Sequence, residues 1–219
     1  MYYFIYVRIY SLTEILSFAS KNHIEQYSEF LVPALEQALC DKSSEVRLQA
    51  ATAFQTMIKT IGNRAVDDVV SSLLTRIENS DVVVKEGGGN NESLVSDDNN
   101  LALFGLKELV KQRPRELLEY LFGKLLCSPM TSSSAKIIGF VVEVAGTQLN
   151  YQLQIIISTL IPELASSLET DSRVHENIKL CASNIMASIS TSGVNYLIDE
   201  LKEHIQDEEN PISRSSILF

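Results

Sequence analysis

The residues that could do chemistry in this chain are few and scattered. His23, His175 and His204 are far apart, so no spacing builds a metal cluster or a nucleophile and base pair from them. The densest acidic stretch, DELKEHIQDEE at 199–209, sets Glu200, Glu203, His204 and Asp207 on neighbouring helical turns, where they could gather a divalent cation. Leu197, Ile198, Leu201 and Ile205 form the opposite stripe, which reads the acidic side as a solvated helix face and assigns no metal ligand. In TSSSAK, Ser132, Ser133 and Ser134 stand ahead of a helix as N-capping requires, with no base nearby to activate a hydroxyl. Cys40, Cys127 and Cys181 lack any C-x-x-C pairing and read as reduced thiols of a cytosolic protein. Gly87 to Asn91, GGGNN, lacks the G-x-x-x-x-G-K-[ST] pattern that cradles phosphate. No catalytic residue, cofactor or metal is expected.

Charge supplies the one feature with a possible binding role. In KELVKQRPR the cations Lys107, Lys111, Arg113 and Arg115 cluster around a turn between consecutive helices. Cations at a helix C-terminus offset the macrodipole. The same group could hold phosphate on an otherwise acidic body, as ribosomal RNA or an acidic partner would require. Both uses stay open. The 18 Lys and Arg against 28 Asp and Glu give a net charge of −10, which excludes autonomous DNA binding through summed positive potential. Ten acidic residues between 163 and 209 face only Arg173, Lys179 and Lys202, so any nucleic-acid contact should avoid that end.

These side chains need a scaffold, and the apolar pattern describes it. With 45% hydrophobic residues the 219-residue chain should fold. Its opening, MYYFIYVRIYSLTEILSFAS, is interrupted by Arg8 and Glu14 and has no basic leader, so it reads as a helix covered by a neighbour upstream rather than as a signal or membrane span. Leu31, Leu35 and Leu39 recur every four positions, and the pattern returns at 117–125 and 160–168, offsets of 86 and 129, or two and three times 43. A unit near Val69 fills the interval. Helices are expected at about 28–40, 45–61, 66–79, 100–113, 115–127, 133–147, 150–169, 173–190 and 193–206, with Gly62 ending the second.

A 43-residue step of paired helices falls in the range of HEAT and armadillo repeats. The expected fold is all-α, a right-handed HEAT-repeat solenoid of about four and a half hairpins forming one array over 1–219, with a flexible insertion loop at 81–99. Its repeat core is read as Leu31, Pro33, Leu35, Leu39, Phe54, Leu106, Phe140, Leu160, Pro162 and Leu164. Ala53-Phe54, Gly105-Leu106 and Gly139-Phe140 each set a small residue before a large one at mid-helix, where a neighbouring backbone can approach closely. Pro211 and the apolar Ile212, Ile217, Leu218 and Phe219 look like the start of a further helix, so the chain reads as part of a longer array.

Several ordered segments narrow the family. Thr60-Ile61-Gly62 with Ala65, Asp67 and Asp68, then Gly105-Leu106-Lys107, then Val144-Ala145-Gly146 with Leu149, then Leu160-Ile161-Pro162-Glu163-Leu164 resemble the general control non-derepressible translational activators, very large cytosolic HEAT proteins. The resemblance covers roughly residues 31–206, and the GGGNN insertion and Glu119 depart from it. It implies a cytoplasmic, non-catalytic scaffold that binds ribosomes, works with an ABC-type ATPase and activates the stress-responsive kinase of the initiation-factor alpha subunit through the kinase's RWD domain. It implies no membrane partner and carries over no kinase-contacting residue. A generic HEAT adaptor, of the transport-receptor or phosphatase-scaffold type, would use the same packing residues and is the alternative.

Overall fold

The computed structural model describes the backbone of residues 2–62, 64–86, 92–170 and 172–206 and the side chains of residues 4–62, 65–79, 101–167, 172–199 and 201–202. The described residues are helical with short connections, as the 3.6-residue periodicity requires. Where one array is expected, the chain forms two compact units, Met1–Arg113 and Pro114–Phe219. The division falls at a proline, which cannot donate to the preceding helix and disfavours helical geometry at Arg113.

The first unit holds α1 (Tyr2–Phe18), α2 (Lys21–Leu39), α3 (Ser44–Ile61), α4 (Arg64–Glu86) and α5 (Glu92–Gln112). Helix α3 packs between α1 and α5, while α2 and α4 pair with α3 and α5 and touch each other. This is the hairpin-on-hairpin stacking of an α-solenoid. Leu35, Leu39, Phe54, Met57, Leu73 and Leu106 fill the interior with almost no exposed surface. Gly62 ends α3 at a φ of 87°, a left-handed value that favours glycine, and its N–H donates to the Ile58 carbonyl at 2.8 Å.

The second unit holds α6 (Pro114–Leu125), α7 (Ser132–Ala145), a 3-10 segment (Gly146–Gln152), α8 (Leu153–Thr170), α9 (Ser172–Ser188) and α10 (Thr191–Gln206). Helices α7 and α9 make its closest pair: a Cβ on Gly139 would stand 3.3 Å from the Cα of Cys181. Two amides bridge them. Asn184 Nδ2 donates to the Gly139 carbonyl at 3.1 Å, and Asn177 Nδ2 donates to Ser132 Oγ at 2.6 Å.

Several expectations change. Helix α4 continues to Glu86 and α5 begins at Glu92, so 81–86 and 92–99 are helical where a loop is expected; neither stretch contains glycine or proline to stop a helix. The GGGNN run at 87–91 and the stretch 207–219 lie outside the described residues. The cap of α7 is Thr131, one residue before the expected serines, with Oγ1 accepting from the Ser134 N–H at 3.0 Å.

The expected core needs a sharper correction. Leu35, Leu39, Phe54, Leu106 and Leu160 are buried, Leu31, Phe140 and Leu164 are half-buried, and Pro33 and Pro162 are exposed. Both prolines sit inside helices. A proline there removes the donor for the carbonyl four residues earlier, of Glu29 and Ser158 respectively, a loss that water can offset only on an exposed face. Replacing Pro33 by alanine restores that donor and removes no packing. The variant should gain about 1–2 kcal/mol in urea unfolding, less than the ~3 kcal/mol propensity gap because the native helix has adapted to its proline. A loss would mean that the proline shapes α2 for its neighbours.

Candidate interaction surface

The four cations of KELVKQRPR are divided between the units. Lys107 and Lys111 lie one helical turn apart on α5, Arg113 is in the bend just past it, and Arg115 is in the first turn of α6. Lys111 is exposed and pairs with Glu108 three residues earlier, Nζ to Oε1 at 2.7 Å. That contact offsets part of its charge, although surface pairs of this kind contribute no more than about 1 kcal/mol and open readily for a stronger anion. Lys107 and Arg113 are half-buried. Arg115 is exposed and its guanidinium lies over the ring of Tyr151, 5.9 Å from the centroid. Tyr151 is exposed in the 3-10 segment, and the sequence pattern gives no sign of this pairing across 36 positions.

A buried cation escapes a reading of charge patterns altogether. Arg47 in the first turn of α3 is 8% exposed, donates from Nη1 to the carbonyls of Asp41 at 2.8 Å and Lys42 at 3.0 Å, and lies 5.2 Å from the ring centre of Phe104. It thereby ties the α2–α3 turn to α5. Asp41 Oδ1 accepts from the Ser43 N–H at 2.8 Å, an Asx-turn that presents those two carbonyls. The Asp-x-Ser triplet was the available signal. The Nε of Arg47 is buried without a partner, so part of the staple's gain is spent on desolvation.

Several other polar groups hold helices together. Buried Glu163 accepts from the Met130 N–H at 2.9 Å through Oε2, fixing the α6–α7 connection against α8. His175 Nδ1 lies 3.1 Å from Ser167 Oγ and 3.2 Å from the Leu164 carbonyl, which joins α9 to α8. His23 is exposed in the first turn of α2. The side chains of Glu200, Glu203, His204 and Asp207 lie outside the described residues. Among the described residues no three of His, Cys, Asp and Glu come together as a metal site would need, and no helix is long and apolar enough to cross a membrane.

The cysteines differ in environment. Cys127 is exposed, Cys40 is half-buried, and burial pushes the Cys181 thiol from its ordinary 9.0 up to about 12. Above pH 9 the unfolded chain releases this proton while the folded chain keeps it, so folding stability falls as pH rises. The slope should approach about 1.4 kcal/mol per pH unit between pH 9 and 12. Urea titrations of the protein and of its Cys181→Ala variant check this: the variant should lose that component of the slope.

Comparison with known proteins agrees with this architecture. The profile of the "Stalled ribosome sensor GCN1-like, HEAT repeats" family matches residues 117–218, and a HEAT repeat profile matches residues 31–61. The stalled ribosome sensor GCN1 of Homo sapiens is 29% identical over 198 residues, 90% of this chain and 7% of that protein. The eIF-2-alpha kinase activator GCN1 of Saccharomyces cerevisiae is 27% identical over 199 residues, with the same 90% and 7% coverage. Its namesake in Dictyostelium discoideum is 30% identical over 197 residues, 89% of this chain and 7% of that protein. The all-α hairpins, the HEAT profile on α2 and α3 and the GCN1-like profile on the second unit identify the chain as a member of the GCN1-like HEAT-repeat family, spanning 7% of the length of the relatives it matches.

Proposed function

We propose that this chain acts in translational control as a non-catalytic HEAT scaffold that contacts the ribosome and helps activate the kinase of the initiation-factor alpha subunit. The observation that carries this reading is the similarity along nine-tenths of the chain to proteins named for sensing stalled ribosomes and activating that kinase. The fold supports it: buried and half-buried polar side chains such as Arg47, Glu163, Asn177 and Asn184 staple and bridge helices, and the exposed remainder offers surface for partners. Such a scaffold works by raising the effective concentration of what it holds, with no chemical step of its own.

The ribosome is the partner for the cations, Lys107, Lys111 and Arg113 of the first unit and Arg115 of the second. The kinase's RWD domain and an ABC-type ATPase are the protein partners, and the cytoplasm is where all of them meet. Charge reversal tests the assignment unit by unit. Lys107→Glu with Lys111→Glu, and separately Arg115→Glu, should each weaken pelleting with purified ribosomes by roughly tenfold and flatten its salt dependence. Unchanged pelleting of both variants returns these residues to helix capping.

A further inference from the structure

Arg115 and Tyr151, both in the second unit, hold each other on the surface in a way that helix formation does not require. Arg115 stands in the first turn of α6, where the macrodipole is positive and a cation is disfavoured. Glu119, exposed four residues on, offers an ordinary i,i+4 ion pair, yet none forms between them. The guanidinium lies instead over the ring of Tyr151, 5.9 Å from its centre. That ring remains 74% exposed, so a planar cation and an aromatic face stand together in solvent.

The segment that carries Tyr151 suits nucleic acid better than protein. From Val144 to Pro162 no residue is charged, in a chain whose net charge is −10, so a phosphate meets no repulsion from that segment. It also supplies amides, half-buried Gln148 and Gln152 and exposed Gln154, with the donors and acceptors that base edges need. A protein hot spot requires surrounding contacts that exclude water. From residue 147 to 155, Ile155 is the one exposed aliphatic side chain.

We propose that Arg115 and Tyr151 form a platform for one unpaired RNA nucleotide, with the base stacked on the Tyr151 ring and the neighbouring phosphate held by the Arg115 guanidinium. An aromatic face stacks on any base, and a guanidinium grips phosphate in two places at once. The distance between ring and guanidinium is one that a nucleotide spans between its base and its phosphate. A duplex keeps its base faces stacked on one another, so the platform selects single-stranded RNA. This site rests on the ribosome assignment of Arg115 and gives it a ligand class.

Fluorescence anisotropy of the 219-residue chain with a short labelled oligoadenylate and with a short RNA duplex tests it, expecting tighter binding of the single strand. Tyr151→Ala and Tyr151→Leu should each weaken oligoadenylate binding by roughly tenfold and Tyr151→Phe by less than about twofold, with duplex binding and helicity by circular dichroism unchanged. Arg115→Gln should flatten the plot of log K against log salt by about 0.7, the share of one phosphate on a single strand. Glu119→Gln should tighten binding, because it removes a carboxylate one turn from Arg115. A chain that binds no oligoadenylate, or binds it equally after Tyr151→Leu, overturns the platform, and ribosome pelleting that persists in that chain leaves the scaffold reading standing. An unchanged salt slope for Arg115→Gln overturns the phosphate contact. Oligoadenylate binding through Tyr151 by a chain that does not pellet with ribosomes upholds the platform and overturns the ribosome assignment. Pelleting lowered by Tyr151→Leu with oligoadenylate binding intact assigns Tyr151 to a protein of the ribosome and overturns the RNA platform.

Discussion

Gly105→Leu is expected to destabilise the first unit by about 3–4 kcal/mol, seen as a large fall in urea midpoint. Leucine favours helix over glycine by up to about 1 kcal/mol, so propensity alone predicts a gain. Packing decides otherwise. A Cβ at this position would overlap the carbonyl oxygen of Leu39 and stand 3.0 Å from its carbonyl carbon, and that obstacle is backbone in α2, which cannot rotate away. Relief requires α5 to move off α2, opening the interior around Leu39 and Leu106, and overpacking of this kind outweighs the propensity. Gly123 supplies the control. It lies exposed inside α6 with nothing within 4 Å of its would-be Cβ, so Gly123→Ala should stabilise by about 0.5–1 kcal/mol. Opposite signs at two helical glycines are the signature sought, and equal signs would refute the close α2–α5 contact.

Arg47→Ala is the second large effect, a loss of about 2–3 kcal/mol. Two bonds from a charged donor to the carbonyls of Asp41 and Lys42 disappear, each worth about 1.5–3 kcal/mol when made, together with the contact over Phe104. Against that, removing the side chain also removes a desolvated charge and a buried Nε without a partner, which returns part of the loss. The staple wins because it orders a turn between two helices as well as its own atoms. Asp41→Ala should cost only about 1 kcal/mol, since it removes one half-buried bond to the Ser43 N–H. Thermal or urea unfolding of both variants gives the ranking, and a larger loss for Asp41 would contradict it.

What could be read from the sequence was local. The recurrence of Leu31, Leu35 and Leu39 near 117 and 160 reports which helix faces are apolar, and a hairpin array follows from it because side chains three and four apart share a face. The small-before-large pairs were legible for the same reason, and Gly105 and Gly139 do sit where another helix comes close. Pro33 and Pro162 misled because spacing aligned them with the leucines, whereas the missing N–H decides their exposure. Loop length was overread from a glycine run whose flanks contain no breaker.

The unread contacts join positions far apart in the chain. Arg47 meets Phe104 across 57 positions and Arg115 meets Tyr151 across 36, and an arginine's ordinary preference for the surface argues against expecting the first. The Lys111 and Glu108 pair was within reach, being three apart on one helix.

Co-sedimentation of the 219-residue chain with polysomes tests the central claim most directly. The scaffold reading predicts that the chain travels into the polysome fractions of a sucrose gradient at moderate salt, shifts to the monosome and top fractions after nuclease collapses the polysomes, and dissociates as salt rises. A chain that remains at the top of the gradient at moderate salt, while folded by circular dichroism, would contradict it.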